Sequence, residues 1–249
     1  MEVNIISKSG SSFVIEYQTY GHFQGILENY VLDVYMTQEY RKGDVVIDLG
    51  AGIGDFSILA ANAVGENGKV LAIEPSTRNF NLLKKNLIRN NIKNVIAYNY
   101  AVSDSSKMIT IQYEDEKYEV QGFPIEHILR DANIEHPDVF KMDIEGAELN
   151  VVLTSLGTLK QCYMIPIELH DTKESIDKIL LPVGFSYISF NQGRMLKNIL
   201  SYSLRHPLRV WQLYRQYKLF GGKRSVSALY QGTEITNIGK IVTGVYHKY

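Results

Sequence analysis

From Gly43 onward, short apolar runs alternate with segments of helical period, and few folds accommodate such an alternation. VVIDLG (45–50) is apolar on both faces, as a central parallel strand is. Phe56, Leu59, Ala60 and Ala63 then recur at i, i+3, i+4 and i+7, an amphipathic helix that Gly65 and Gly68 close. KVLAIEP (69–75), NVIAYNYAV (94–102), DVFKMDIEG (138–146), CYMIPIELH (162–170) and GFSYISF (184–190) read as further strands. Helices follow the second, fourth and fifth of these strands, marked by Phe80, Leu83 and Leu87, by Leu149, Val152 and Leu153, and by Ile176, Ile179 and Leu180. The polar stretch 103–137 predicts a short hairpin and one helix, and IGKIVTGVY (238–246) predicts the last strand. Strands joined by helices require right-handed crossovers, so the expected fold is α/β, an open, doubly wound, mostly parallel sheet. Residues 1–42 read as a cap of short strands, FVIEY (13–17) and YVLDVYM (30–36) among them, ahead of a domain at 43–249.

Composition narrows the function. With 249 residues, 45% of them hydrophobic, and a formal net charge of −1, the chain is long and apolar enough for one large domain. No run approaches the ~18 apolar residues of a membrane-crossing helix. The N-terminus, MEVNIISKSGSS, lacks the basic start and apolar core of a secretory signal. A single cysteine, Cys162, permits neither an internal disulfide nor a Cys-rich zinc site, so the expected location is the reduced cytoplasm.

The near-zero charge conceals an asymmetry. Between Asn191 and Ser225 lie eight basic residues (Arg194, Lys197, Arg205, Arg209, Arg215, Lys218, Lys223 and Arg224) and no acidic ones, so the remainder sums to −9. This marks a basic insertion at about 191–233. Pro207 can open a helix there, placing Val210, Leu213, Tyr214 and Tyr217 on one face. Trp211 and Phe220 add aromatic surface, and Gly221 and Gly222 end the helix. Three readings follow: packing on the sheet with a solvated basic back, contact with an anionic membrane surface, or contact with a polyanion through 191–225. Nucleic acid ranks last, because the body of the domain is acidic.

The turn Asp48-Leu49-Gly50-Ala51-Gly52-Ile53-Gly54-Asp55 joins the first core strand to its helix. Glycines let the backbone turn sharply and approach a ligand, and the helix N-terminus points its free N–H groups at it. A dinucleotide fingerprint is G-x-G-x-x-G. The spacing here is G-x-G-x-G, and Asp55 occupies the third dinucleotide glycine's place, where it repels a pyrophosphate. A zwitterionic ligand such as S-adenosylmethionine tolerates that acid. Glu74, at the end of the second strand, can accept hydrogen bonds from both ribose hydroxyls of either ligand. The two features together favour the methyl donor.

VVIDLGAGIGDFSILAA (45–61), VLAIEPS (70–76), NYAVSD (99–104), FKMDIEGAE (140–148) and IELH (167–170) together resemble the FkbM family of S-adenosylmethionine-dependent methyltransferases. The resemblance covers about 40–190. It implies a Rossmann-like class I methyltransferase fold with sheet order 3-2-1-4-5-7-6 and an antiparallel last strand. It also implies that Gly50, Ala51, Gly52 and Gly54 cradle the donor, with Asp48 near its amino group. Glu74 would hold the ribose, Pro75 and Ser76 would lie near the adenine, and Ala101, Val102 and Asp104 would cover it. Gly52 departs from the family's usual G-A-N-I-G, which has Asn there.

Asp143 and Glu145 fall at the carboxyl end of the fourth strand, the ligand edge of such a sheet. Glu168 and His170, two apart on the fifth, share a face. If those strands are neighbours, Asp143, Glu168 and His170 can converge, either as a general base with its orienting partner or as a site for a divalent cation. Glu148 suits a helix start whatever the function, and Lys141 suits a pair with an acid on the next strand. The other histidines, His22, His127, His136, His206 and His247, lack ligand spacing and read as surface residues. The expected activity is methyl transfer to a hydroxyl of a sugar, glycan or small metabolite, ahead of an RNA methyltransferase or a noncatalytic donor-binding protein. A dinucleotide oxidoreductase comes last, because Asp55 stands where the dinucleotide fingerprint has its third glycine.

Overall fold

The computed structural model describes residues 1–113, 116–144, 146–219 and 241–248. Strands β1 (Glu2–Ile6) and β2 (Ser12–Glu16) pair antiparallel. Thr19 then caps α1 (Tyr20–Leu27) by accepting the amide of His22 at 3.2 Å. The helix runs into a π-helical turn, Glu28–Leu32, that ends where Asp33 turns left-handed at φ 52°. The expected strand at YVLDVYM is therefore a helical turn followed by bends. Tyr30, Val31, Leu32, Val34 and Tyr35 are all buried, and a run apolar on every side fits a packed helix end as well as a strand.

The core unit follows as β3 (Val45–Leu49), α2 (Asp55–Val64), β4 (Lys69–Ile73), α3 (Thr77–Arg89) and β5 (Val95–Tyr98). Next comes a small sheet of β6 (Ala101–Val102) and the hairpin β7 (Lys107–Tyr113) and β8 (Glu116–Phe123), then α4 (Ile125–Asp131). This is the hairpin and helix expected of that polar stretch. The chain continues through β9 (Val139–Met142), α5 (Glu148–Thr154), α6 (Leu156–Leu159), β10 (Met164–His170), α7 (Lys173–Leu180) and β11 (Ser186–Ser189). It ends with α8 (Gln192–Arg205), α9 (Pro207–Leu219) and β12 (Ile241–His247).

Seven strands form the central sheet in the order β11-β12-β10-β9-β3-β4-β5. Counted from β3 as the first, the order is 3-2-1-4-5-7-6, with β12 antiparallel to both its neighbours. Alternate residues of each strand serve opposite layers. Val46, Val70, Ala72 and Val139 face α2, α3 and the N-terminal residues, while Ile47, Leu71, Ile73 and Phe140 face α4, α5 and α7.

The helix expected after Pro207 is present, preceded by α8, which the sequence reading did not include. Tyr202, Leu213 and Tyr217 are buried in the same core as the N-terminal residues. Gln216 Nε2 donates to the Glu2 carbonyl at 2.8 Å, and Asn198 Nδ2 donates to the Leu32 carbonyl. Packing therefore accounts for the apolar face chosen from the sequence. Phe220, Gly221, Gly222, Lys223 and Arg224 lie outside the described residues. Among the described residues, no helix is long and apolar enough to cross a membrane.

Candidate active site

The glycine turn sits at the carboxyl ends of β3 and β4. Gly50 and Ala51 donate their amides to the Ile73 carbonyl at 3.0 and 3.1 Å, which folds the turn back onto β4. Gly50 has φ 73°, and a Cβ placed on it would stand 1.8 Å from the Asp143 carbonyl oxygen. Only a glycine allows that approach of the β3 turn to the tip of β9. Gly52 differs. At φ 52° an added Cβ would meet nothing within 4 Å, so this side of the turn is open. Gly54 packs on Leu83 of α3.

Glu74 closes the opposite wall. Its Oε2 accepts the Gly52 amide and its Oε1 the Ser76 amide, each at 2.8 Å, and it is only 6% exposed. A carboxylate offers about four acceptor positions, so two remain for a ligand's hydroxyls. Asn99, which the sequence reading did not single out, holds this wall by donating Nδ2 to the carbonyls of Glu74 and Pro75, both at 2.9 Å. Its sequence signal lay within NYAVSD, but nothing in one chain separates it from any other loop asparagine.

Beneath the turn lies a buried ion pair. β3 and β9 are parallel neighbours with Asp48 level with Lys141. Lys141 Nζ stands 3.0 Å from Asp48 Oδ1 and donates to the Gly50 carbonyl at 2.9 Å. Asp48 also accepts the Ser57 hydroxyl at 2.5 Å. Burial opposes the Lys141 charge, but Asp48 and Asp143 outweigh it and raise its pKa. Lys141 thus does pair with the acid on the next strand. Asp48, expected beside the donor's amino group, is 0% exposed and meets the site through Lys141 instead.

Asp143 is half-buried at the tip of β9. Its Oδ2 accepts the Tyr35 hydroxyl at 2.9 Å and lies 3.7 Å from Lys141 Nζ. Tyr35 comes from the segment misread as a strand. Burial, and then the charges of Asp143, Glu168 and Glu28, raise its pKa well above the ordinary value, so it stays a donor. Asn29, just ahead of that segment, donates to Asp55 Oδ2 at 2.8 Å.

The expected convergence of Asp143, Glu168 and His170 therefore divides. Asp143 belongs with Tyr35, and Glu168 acts on the same hydroxyl electrostatically. His170 Nδ1 lies 2.9 Å from the fully buried Glu148, which also accepts the Gly146 amide at 2.7 Å. Burial alone would raise the Glu148 pKa, but His170 and that amide lower it. Glu145 lies outside the described residues. Ala101 is buried at the start of β6, whereas Asp104 faces solvent and pairs with Lys107 at 2.6 Å. Pro75 and Ser76 flank Glu74, and Ser76 caps α3. Among the described residues, no group of three His, Cys, Asp or Glu side chains is arranged to hold a metal ion. His22, read as a surface residue, is buried, because Gln18 donates its amide to the ring Nδ1 and α1 turns it inward.

Several of these groups titrate near neutrality. Burial raises Glu28 to about 8, Glu74 to about 7 and Asp55 to about 6, while burial lowers His22 to about 4. Below its ordinary pKa near 6.5, His22 loses stability as pH falls, because the unfolded chain takes the proton more readily. Glu28 and Glu74 act the other way. The folded state keeps their protons longer than the unfolded chain does, so stability falls as pH rises towards their folded values. The windows overlap below about 6.5, where the effects oppose. Between there and about 8 only the carboxyl effect remains. The expected result is a melting temperature that declines across that upper interval, and a decline weakened by Glu28→Gln. A flat profile in differential scanning fluorimetry would contradict the burial of these acids.

The sheet order, the antiparallel last strand and the glycine turn facing an acid at the second strand tip define a class I Rossmann-like methyltransferase fold. The Methyltransferase FkbM domain matches residues 48–202, more than half of the chain, so the protein belongs to the FkbM methyltransferase family. Among solved structures it is similar to methyltransferase FkbM from Methylobacillus flagellatus KT, at 15% identity and a TM-score of 0.50. That match covers 84% of this chain and 44% of the other, so the chain spans less than half that protein's length. It is also similar to a SAM-dependent O-methyltransferase from Thermotoga maritima, at 18% identity and a TM-score of 0.47 over 76% of this chain and 66% of that one. A SAM-dependent methyltransferase from Aquifex aeolicus matches at 16% identity and a TM-score of 0.46, over 93% and 98%.

Proposed function

We propose that the protein binds S-adenosylmethionine at the glycine turn and methylates an oxygen of a sugar, glycan or small-metabolite hydroxyl. The observation that carries this reading is the buried Glu74 carboxylate seated against the Gly52 amide on the open side of the turn. In this reading Glu74 holds the ribose, and Gly50, Ala51, Gly52 and Gly54 carry the methionine end. Pro75, Ser76, Ala101 and Val102 flank the base. The donor supplies, when bound, an electrophilic methyl group on a sulfonium. Acidic groups suit that charge: Asp48 and Asp143 lie against Lys141, and Glu168 acts on the Tyr35 hydroxyl beside them, a setting that would repel a pyrophosphate.

Tyr35 occupies Asp143 Oδ2, which leaves Oδ1 to receive the acceptor's hydroxyl proton. Tyr35 is then a positioning residue. An RNA acceptor finds less support. The cations of α9 lie beside β1, whose Glu2 pairs with Arg89. Arg89 closes α3 at the end away from Glu74, roughly 18 Å along the helix from Thr77.

Isothermal titration calorimetry with S-adenosylhomocysteine tests the reading directly. Glu74→Ala is expected to weaken binding by about 1–3 kcal/mol, because two ribose hydroxyls then lose a buried partner. Unchanged affinity in that variant, or no uptake by the unaltered protein, would overturn the assignment.

A further inference from the structure

We infer that the outer face of α8 and α9 docks on the surface of an anionic phospholipid bilayer. The starting observation is where the exposed apolar side chains are. Of the eleven large hydrophobics exposed among the described residues, six fall between residues 196 and 219. Leu196, Leu200 and Leu204 follow one another at i, i+4 and i+8, a single stripe along α8 on the side away from buried Tyr202. On α9, Leu208, Trp211, Arg215 and Leu219 share the face opposite buried Leu213 and Tyr217. Leu204 is 83% exposed, Leu208 77% and Trp211 56%. Inner-face packing therefore leaves a second apolar face on each helix, unpartnered among the described residues.

Charge selects the occupant. No acidic residue occurs between Asn191 and Leu219, while Lys197, Arg205, Arg215 and Lys218 are exposed among the leucines. The Arg215 guanidinium lies 4.9 Å from the Trp211 ring centre, so cation and indole are presented together. A second copy of the chain in a two-fold contact would bring these cations against their own images. A nucleic acid would meet the arginines but gain nothing from leucines this exposed. An anionic bilayer surface satisfies both sets, taking leucines and indole into the headgroup–acyl boundary and cations among the phosphates. Beside the face, α9 and β1 frame an open groove of about 370 Å³ with Arg209 and Arg215 in its wall. α8 also packs on the Glu28–Leu32 turn, just ahead of Tyr35, so docking would place the N-terminal wall of the site near the bilayer.

The protein carries its own reporter, because Trp211 is its only tryptophan. The test uses the full chain with vesicles of pure phosphatidylglycerol and of pure phosphatidylcholine. Expected are co-flotation and a blue-shifted Trp211 emission with phosphatidylglycerol, both weakened by salt, and neither with phosphatidylcholine. Leu204→Glu/Leu208→Glu alters two side chains already in solvent, so its melting temperature should match the parent while vesicle affinity falls at least about tenfold. Absence of flotation and shift overturns the inference. So does flotation that the double variant leaves intact, or a blue shift that grows with protein concentration without lipid and tracks a dimer in light scattering.

Discussion

Lys141→Ala is expected to remove about 3–5 kcal/mol of folding stability, far more than an ordinary surface substitution. The lysine and Asp48 stand 3.0 Å apart with almost no exposure, so removing the cation leaves a fully buried carboxylate without its partner. The Gly50 carbonyl loses its donor in the same step, which loosens the turn that carries the proposed donor site. Asp48→Asn/Lys141→Met should recover most of the loss, because no buried charge then lacks a counterion while Ser57 keeps an acceptor. Urea denaturation of the parent, the single and the double variant measures all of this. A loss under about 1 kcal/mol for Lys141→Ala would mean that water reaches Asp48 and that the pair is not the dry contact described.

The pair also shows what could be read in advance. Lys141 and Asp48 lie on strands whose apolar runs are unambiguous, and parallel register brings them level, so their pairing follows from the topology. The same holds for Glu74, which lies one crossover after the glycine turn and meets it across adjacent strand ends. Such relations are local to two neighbouring strands. Tyr35, Asn29 and Glu28 were not legible in that way. They arrive from a segment with no pattern of its own, since Tyr30, Val31 and Leu32 are apolar on consecutive positions and the surrounding core decides their conformation. The separation of His170 from Asp143 was hidden for a different reason. Two positions on one strand face share a direction, but Glu148, arriving on α5, captures the farther one. Helix α8 has a signal in the four-residue spacing of its leucines, with Asn191 as its cap, but that spacing marks the exposed face rather than the one buried at Tyr202.

The turn itself makes the sharpest contrast between two glycines that look alike in sequence. Gly50→Ala is expected to cost about 3 kcal/mol or more. At φ 73° the new side chain is conformationally strained, and its Cβ lies 1.8 Å from the Asp143 carbonyl oxygen and 2.9 Å from the carbonyl carbon. Those are backbone atoms, fixed by the Asp143 amide's bond to the Leu49 carbonyl at 3.1 Å, so relief requires β3 and β9 to part at their tips. Gly52→Asn should instead leave stability within about 1 kcal/mol, since asparagine tolerates the left-handed region at φ 52° and nothing lies within 4 Å of its Cβ. The same room predicts that S-adenosylhomocysteine affinity in Gly52→Asn changes only a few-fold while Gly50→Ala loses the site along with the fold. Thermal melts of the two variants side by side, followed by calorimetric titration of whichever remains folded, distinguish them. Equal melting temperatures would show that the turn does not press against the tip of β9.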